Sequence, residues 1–425
     1  MSESPAEAAP EPQRTPLWPL LAVLLLLLGC ALRIVPWTSN HGMGYDESYY
    51  RKYLLMLDEH GLAAYPDVCA AYLQDGTVET TIAKVPPLRA LFVAGGLAWK
   101  RVAFGSTPPA DLNAPNGIAS DPALISLHRI ATLFGCLALW PAWGLARRLF
   151  REREALAILA LFVCSPLLIH TSQHGFVDGV FGAGALFALW TLVESLREKA
   201  HRGWLMGFAA SFALMIMAKE SALFVGLAIA GILIFSHRLG LGRATFMHWG
   251  AAVIGGLVAL VVLSAAAGGL RTMLNVYLLF IHKVQVLPYA HETGRGPWYR
   301  YLVDLMVFTP LTLCFALGGA FLTLNGERRA AVLLLFLAVT YLVMSNMENG
   351  MNLRYATIWE LPLRALAIVQ VGAMATRFRR PAWALTVLTL VLCAVDLRQY
   401  YEFFVAHTVS DLASQYLLRA VEILK

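Results

Sequence analysis

The sequence predicts an all-α, polytopic integral membrane protein with about eleven spanning helices and interfacial helices in the first outer loop. Three observations carry this. Of 425 residues 58% are hydrophobic and only 14% charged, with a mean hydropathy of +0.62, which leaves too little polar surface for a water-exposed fold. The hydrophobic residues come in runs long enough to cross a bilayer. Arginines gather at alternate ends of those runs, the asymmetry that fixes membrane orientation. The net charge of +6 is therefore assigned to loops at the membrane and not to nucleic acid.

Taken in order, residues 1–16 are rich in Ala, Pro and Glu without an apolar period and read as a disordered cytoplasmic tail. The run 17–37 contains Leu27-Leu28-Gly29-Cys30, which is similar to a lipoprotein cleavage box. The acidic tail before it and its length favour an uncleaved first span. A long outer loop, 37–122, follows. Within it, Pro86-Pro87-Leu88-Arg89 opens an apolar run stopped at Lys100-Arg101, about ten residues where a span needs roughly 20, so 86–104 lies in the interface or re-enters.

Charge tests that choice. With 37–122 outside, crossings follow at 123–146, 155–170, 177–196, 204–218, 221–236, 246–267, 301–323, 330–345, 357–375 and 382–396. The inside loops then carry Arg147-Arg148 with Arg151 and Arg153, Arg197 with Lys199 and Arg202, Arg238 with Arg243, Arg328-Arg329, and Arg377 with Arg379-Arg380, as the positive-inside rule requires. A second large outer loop spans 268–300. The tail 397–425 alternates apolar and polar residues at helical spacing and reads as an amphipathic helix on the outer surface. No internal repeat is present, which disfavours a transporter built from inverted halves. Every cysteine except Cys69 falls in an apolar segment, and neither a disulfide framework nor a zinc spacing follows.

This topology places the uncommon polar residues on one face. Gly44-Tyr45-Asp46-Glu47-Ser48 follows directly on the first span, and a carboxylate at a membrane edge is a functional candidate. Asp46 is equally suited to cap a helix running to about Glu59. Cations on the same face include Lys84, Arg89, Lys219, Arg295 and Arg354. A carboxylate pair among cations suits a reaction between a hydroxyl and an anionic, lipid-carried donor: the acid takes the hydroxyl proton and the cations stabilise a departing phosphate.

The order of motifs resembles the GT-C glycosyltransferases, in the branch of bacterial aminoarabinose transferases acting on lipid A and of protein O-mannosyltransferases. Asp46-Glu47 after the first span and Lys84-Val85-Pro86-Pro87-Leu88 at the end of the first loop carry the likeness. It continues through Ala146-Arg147-Arg148-Leu149-Phe150, Phe176-Val177-Asp178, Met217-Ala218-Lys219-Glu220, Gly294-Arg295-Gly296-Pro297-Trp298-Tyr299 and Asn352-Leu353-Arg354-Tyr355 with Pro362.

The resemblance implies a GT-C transmembrane domain over 17–396 in a bacterial inner membrane, with an active site facing the periplasm and built from loops 37–122 and 268–300. It implies transfer of a sugar, with inversion, from a polyprenyl-phosphate donor to a lipid, glycan or protein acceptor among membrane lipids. Asp46 matches the general base. Glu47 is read as assisting or positioning the acceptor, its alternative being an ion pair with Arg51. Lys84, Lys219, Arg295 and Arg354 are candidates for donor phosphate, against snorkelling, structural pairing or headgroup anchoring. Asp178 and His282 are candidates for positioning the sugar, the acceptor or a cation. No cofactor is required and a divalent metal is left open: Ala83 stands where the family often has glutamate, and His170 and His174 are spaced i, i+4, a separation that holds zinc on a helix. The rival readings are a flippase or transporter, or a non-catalytic assembly factor, for lipid-linked sugars.

Overall fold

The computed structural model describes residues 17–35, 43–74, 85–114, 116–197, 201–286, 294–347, 351–409 and 412. Among these the regular structure is helical throughout, with no strand. Lys84 and most of the tail after Val409 lie outside the described residues.

Helix α1 (Leu17–Ile34) crosses first and is followed by α2 (Tyr45–His60), α3 (Tyr65–Gln74) and α4 (Ala90–Phe104). Next come α5 (Pro122–Leu137) and α6 (Leu139–Leu149), together one apolar stretch of 28 residues. Helices α7 (Glu152–Val163) and α8 (Pro166–Gln173) meet at a 49° bend. Pro166 causes the break, because its ring disfavours helix at the preceding residue, and Ser165 Oγ caps α8 by accepting from Leu168 N at 3.2 Å. The carbonyls near the break still need donors in an apolar interior. Buried Arg33 supplies them, donating to Phe162 O and Val163 O at 3.4 Å each.

The chain continues through α9 (Val177–Ser195), α10 (Arg202–Ala218), α11 (Ala222–Phe235), α12 (Phe246–Ala266) and α13 (Leu270–Val286). It closes with α14 (Arg300–Phe308), α15 (Pro310–Leu324), α16 (Ala331–Met344), α17 (Glu360–Ala375) and α18 (Pro381–Tyr400). Burial separates centre from periphery: 83% of α9 is buried, against 17% of α1 and 22% of α12. The periphery is where bare leucine and valine meet lipid.

The spans differ from expectation in detail. Among the described residues six helices are long and apolar enough to cross, and the bent α7–α8 pair makes a seventh. The crossings expected at 204–218, 221–236 and 330–345 form shorter helices, and the one at 301–323 is broken at Thr309-Pro310, so apolar runs alone overstate how many segments are full-width helices. The boundary at 396 also moves. The helix that starts at Pro381 runs to Tyr400 and on as a π-helical turn, Tyr401–Ala406, which buries Phe403 and Phe404. Residues 397–406 therefore extend a span where a separate surface helix was expected. Helix α4 is not among the segments of spanning length. Its buried Lys100 is held by Asp58 of α2 at 2.6 Å, which fastens it to its neighbour.

Candidate active site

Each side chain of the candidate site sits where a helix starts or stops. Asp46 and Glu47 occupy the first turn of α2, and Asp178 the first turn of α9. Lys219 terminates α10 with extended backbone, φ −159°. Arg354 rides on a 3-10 turn, Leu353–Trp359, whose start is capped by Asn352 Oδ1 accepting from Arg354 N at 3.0 Å.

These ends converge. Arg354 Nη2 lies 2.6 Å from Asp46 Oδ2, and its Nε lies 3.6 Å from Asp178 Oδ2. Lys219 Nζ, buried, is bonded to the other oxygen of Asp178. The result is one chain of alternating charges: Asp46, Arg354, Asp178, Lys219. Aromatic faces hold the cations in place, with Lys219 Nζ 3.6 Å from the Tyr355 ring centre and Arg354 5.3 Å from that of Phe176. The second oxygen of Asp46 has no partner among the described residues.

A second pair borders the first. Arg89, at the start of α4, lies 2.9 Å from Glu220 and donates to the buried Tyr50 hydroxyl. Burial pushes the Glu220 carboxyl up, but Arg89 and Lys219 outweigh it and hold the group below its ordinary value. Three cations and three carboxylates (Arg89, Lys219, Arg354; Asp46, Asp178, Glu220) therefore balance at rest.

Glu47 points the other way, into the protein, and is fully buried. It accepts from Gly175 N, stands 2.9 Å from His128 Nε2 and lies 3.7 Å from His174 Nδ1. Burial raises its pKa, yet the two histidines outweigh that and hold it well below the ordinary carboxylate range. Glu47 thus pins the start of α2 to the turn that starts α9, fixing Asp46 relative to Asp178. Its anticipated ion pair with Arg51 does not form: Arg51 binds Asp121 at 2.8 Å.

Of the other sequence candidates, Arg295 is exposed in the segment before α14, and its carbonyl accepts from Arg300. His282 is exposed on α13, whereas its neighbour Lys283 is buried over the Tyr72 ring at 4.6 Å. His170 stacks on Phe404 at 3.9 Å and lies 4.5 Å, ring to ring, from His174. No group of three or more His, Cys, Asp or Glu is placed to hold a metal ion among the described residues. Sequence reasoning missed His128, and it quoted Phe176 and Tyr355 within motifs without seeing that their rings hold Arg354 and Lys219. His128 did leave a signal, as a polar residue inside the apolar segment 123–146.

Residues 120–267 match the sequence profile of the family described as dolichyl-phosphate-mannose-protein mannosyltransferase. No curated protein matches the chain significantly by sequence. The archaeal oligosaccharyltransferase AglB of Archaeoglobus fulgidus, solved with an inhibitory peptide and a dolichol-phosphate, superposes with a TM-score of 0.56 at 12% identity, covering 93% of this chain and 56% of that one. ArnT of Cupriavidus metallidurans, solved bound to undecaprenyl phosphate, superposes with a TM-score of 0.52 at 14% identity over 95% of this chain and 68% of that one. The chain has the GT-C fold. The chain spans 56% of the length of that oligosaccharyltransferase. The family profile takes in Asp178, Lys219 and Glu220, while Asp46 and Arg354 lie outside it and join Asp178 through the ion pairs of Arg354.

Proposed function

We propose that this protein is an inverting glycosyltransferase that moves a sugar from a polyprenyl-phosphate donor to a hydroxyl of an envelope lipid, glycan or protein. The observation that carries the reading is the charge chain from Asp46 to Lys219 at the mouth of an apolar groove. That groove, about 500 Å³, is walled by Phe212, Leu223, Leu260 and Leu263 and ends at Lys219 and Glu220. Its shape and chemistry suit a prenyl tail whose phosphate meets the cations. AglB and ArnT, with their bound lipid phosphates, support the same ligand class.

The ion pairs suggest the sequence of events. A donor phosphate entering beside Lys219 and Arg354 competes with Asp178 and Asp46 for them. Exchange of partners leaves the donor held by the two cations and releases Asp46 as a base. The acceptor oxygen then attacks the anomeric carbon from the face opposite the phosphate. The anomeric C–O bond breaks, its electron pair leaves with the lipid phosphate, and the hydroxyl proton passes to Asp46. Lys219 and Arg354 stabilise the charge gathering on the phosphate in a site partly closed to water. Glu47 acts as a positioning residue through Gly175 and His128. Arg89 is a further candidate for phosphate, as are Lys84 and Arg295, and His282 on α13 is a candidate for positioning the sugar or acceptor.

Orientation follows from charge. Asp178 begins α9 and Arg197 follows its end, so the arginine clusters and the charge chain take opposite membrane faces. Under the positive-inside rule this supports a site on the non-cytoplasmic face, which in the proposed bacterial inner membrane is the periplasmic one.

The test is transfer of radiolabelled sugar from defined polyprenyl-phosphate sugars to a membrane lipid extract, with purified wild type and Asp46→Asn. Loss of transfer in the variant with donor binding retained supports the assignment and identifies the sugar. Equal transfer removes Asp46 from the chemistry; donor binding without any transfer points to a flippase or assembly factor.

A further inference from the structure

A second pocket, about 490 Å³, opens at the far end of α9 from the charge chain. Asp178 is in the first turn of that helix and Ser195 is its last residue, which puts the two sites roughly 25 Å apart at 1.5 Å per residue. The pocket is built rather than incidental. The loop between α11 and α12 lies against the end of α9 so closely that a Cβ on Gly242, whose φ is +113°, would meet Leu196 O at 2.1 Å. Ser236 Oγ accepts from Ala244 N at 3.0 Å inside that loop. His248 Nδ1 accepts from Thr245 N at 3.1 Å, so the ring proton sits on Nε2 and is directed at Ser195 O, 3.2 Å away.

Cations line this frame. Arg197 is held by Glu194 at 2.7 Å. Arg202 and Arg243 line the pocket with no carboxylate partner among the described residues. The N-termini of α10, at Arg202, and of α12, at Phe246, lie on the same pocket and add positive helix ends. His201 and His237 complete the wall, and no acid lines it among the described residues. The rim is apolar and open: Phe246 is 88% exposed, Met206 74% and Met247 60%. Side chains of that kind, in a chain that crosses a membrane, belong against acyl chains.

We propose that this pocket binds the phosphate of an anionic phospholipid from the leaflet opposite the candidate active site. The guanidiniums of Arg202 and Arg243, without a carboxylate partner among the described residues, supply the charge, and the apolar rim selects a phosphate that arrives attached to acyl chains over a free one. The proposal is independent of the glycosyltransferase reading, since it concerns a different face and different residues.

The test uses the full chain in a non-ionic detergent, titrated by microscale thermophoresis with dioctanoyl phosphatidylglycerol, dioctanoyl phosphatidylcholine and inorganic phosphate. Saturable binding of phosphatidylglycerol is expected. The Arg202→Gln/Arg243→Gln variant should bind it roughly tenfold more weakly or worse, and Arg243→Lys should keep most of the affinity. Because both arginines are exposed, unfolding temperatures without lipid should match those of the wild type, and a match shows that the loss is local. Arg379→Gln/Arg380→Gln, in another basic cluster of the same face, should leave binding unchanged. Equal losses in the two double variants, or equal binding of phosphatidylcholine, would overturn the proposal. Inorganic phosphate binding as tightly as the lipid would also overturn it, by making the site one for soluble phosphate.

Discussion

Asp46 and Glu47 are neighbours in sequence and opposites in structure. Successive residues on a helix point about 100° apart, so the turn that presents Asp46 to Arg354 sends Glu47 into the core against His128 and His174. Their substitutions should therefore separate. Asp46→Asn is expected to lower the turnover rate by about 10²- to 10⁴-fold, the usual weight of a general base. Donor affinity should hold or rise, because Arg354 loses a competitor for the phosphate; weakened donor binding in proportion to the lost rate would instead make Asp46 part of the donor site. Glu47→Gln should show in stability, costing about 1–3 kcal/mol for a buried acceptor whose donors lose their charged partner. The sign of its pH dependence is fixed. The folded pKa lies well below the ordinary 4.5, so the stabilisation is complete above pH 4.5 and disappears as pH falls through the lowered value. Unfolding curves of wild type and variant should converge on acidification below pH 4.5, and a constant gap down to pH 3 would rule out the carboxylate charge as the cause.

At the scale of elements, the break between α7 and α8 is joined to α17 and α18 by a buried ionic network. Arg364 Nη1 lies 2.6 Å from Glu360, Nη2 lies 3.2 Å from Asp396, and Nε donates to Leu161 O at 2.9 Å. Ser165, at the break itself, donates to Glu360, and Thr312 of α15 reaches Asp396 at 3.3 Å. Arg364→Leu should cost about 3–5 kcal/mol, since it leaves two carboxylates buried without their counter-ion. Replacing Glu360 and Asp396 by leucine as well should recover most of that loss. Thermal unfolding in detergent measures both, and a single variant as stable as the wild type would mean that the network does not hold the helices. This network also marks what the sequence could not disclose. Asp46, Asp178, Lys219 and Arg354 were legible because each stands at or beside the edge of an apolar segment, within a motif that carries the GT-C resemblance. Glu360, Arg364 and Asp396 lie within apolar runs, and helical period alone does not tell which helices face each other. Asp178 and Glu220 were both open to Lys219 as structural partners in the sequence; that Asp178 takes it, while Glu220 turns to Arg89, was hidden for the same reason. Pro166 explains why one expected crossing is two helices.

Across the whole molecule, the charge chain links α2, α9, the end of α10 and the turn before α17, elements that are remote in sequence. In the proposed mechanism lipid phosphate and carboxylates compete for the same cations, which would couple ligand binding to global stability through Asp178. A polyprenyl phosphate at a hundredfold excess over its dissociation constant should stabilise the wild type by about 2.7 kcal/mol, while the uncharged polyprenol should do far less. Asp178→Asn removes the carboxylate shared by Lys219 and Arg354. Without ligand, this variant should be less stable by about 3–5 kcal/mol, because a buried ammonium loses its partner. With polyprenyl phosphate it should gain more than the wild type does, because no carboxylate has to be displaced before the phosphate binds. Unfolding temperatures measured with and without the lipid decide the matter. A larger ligand-induced shift in Asp178→Asn supports partner exchange, whereas a smaller shift would mean that Asp178 helps to hold the donor and that the release of Asp46 by incoming phosphate is wrong.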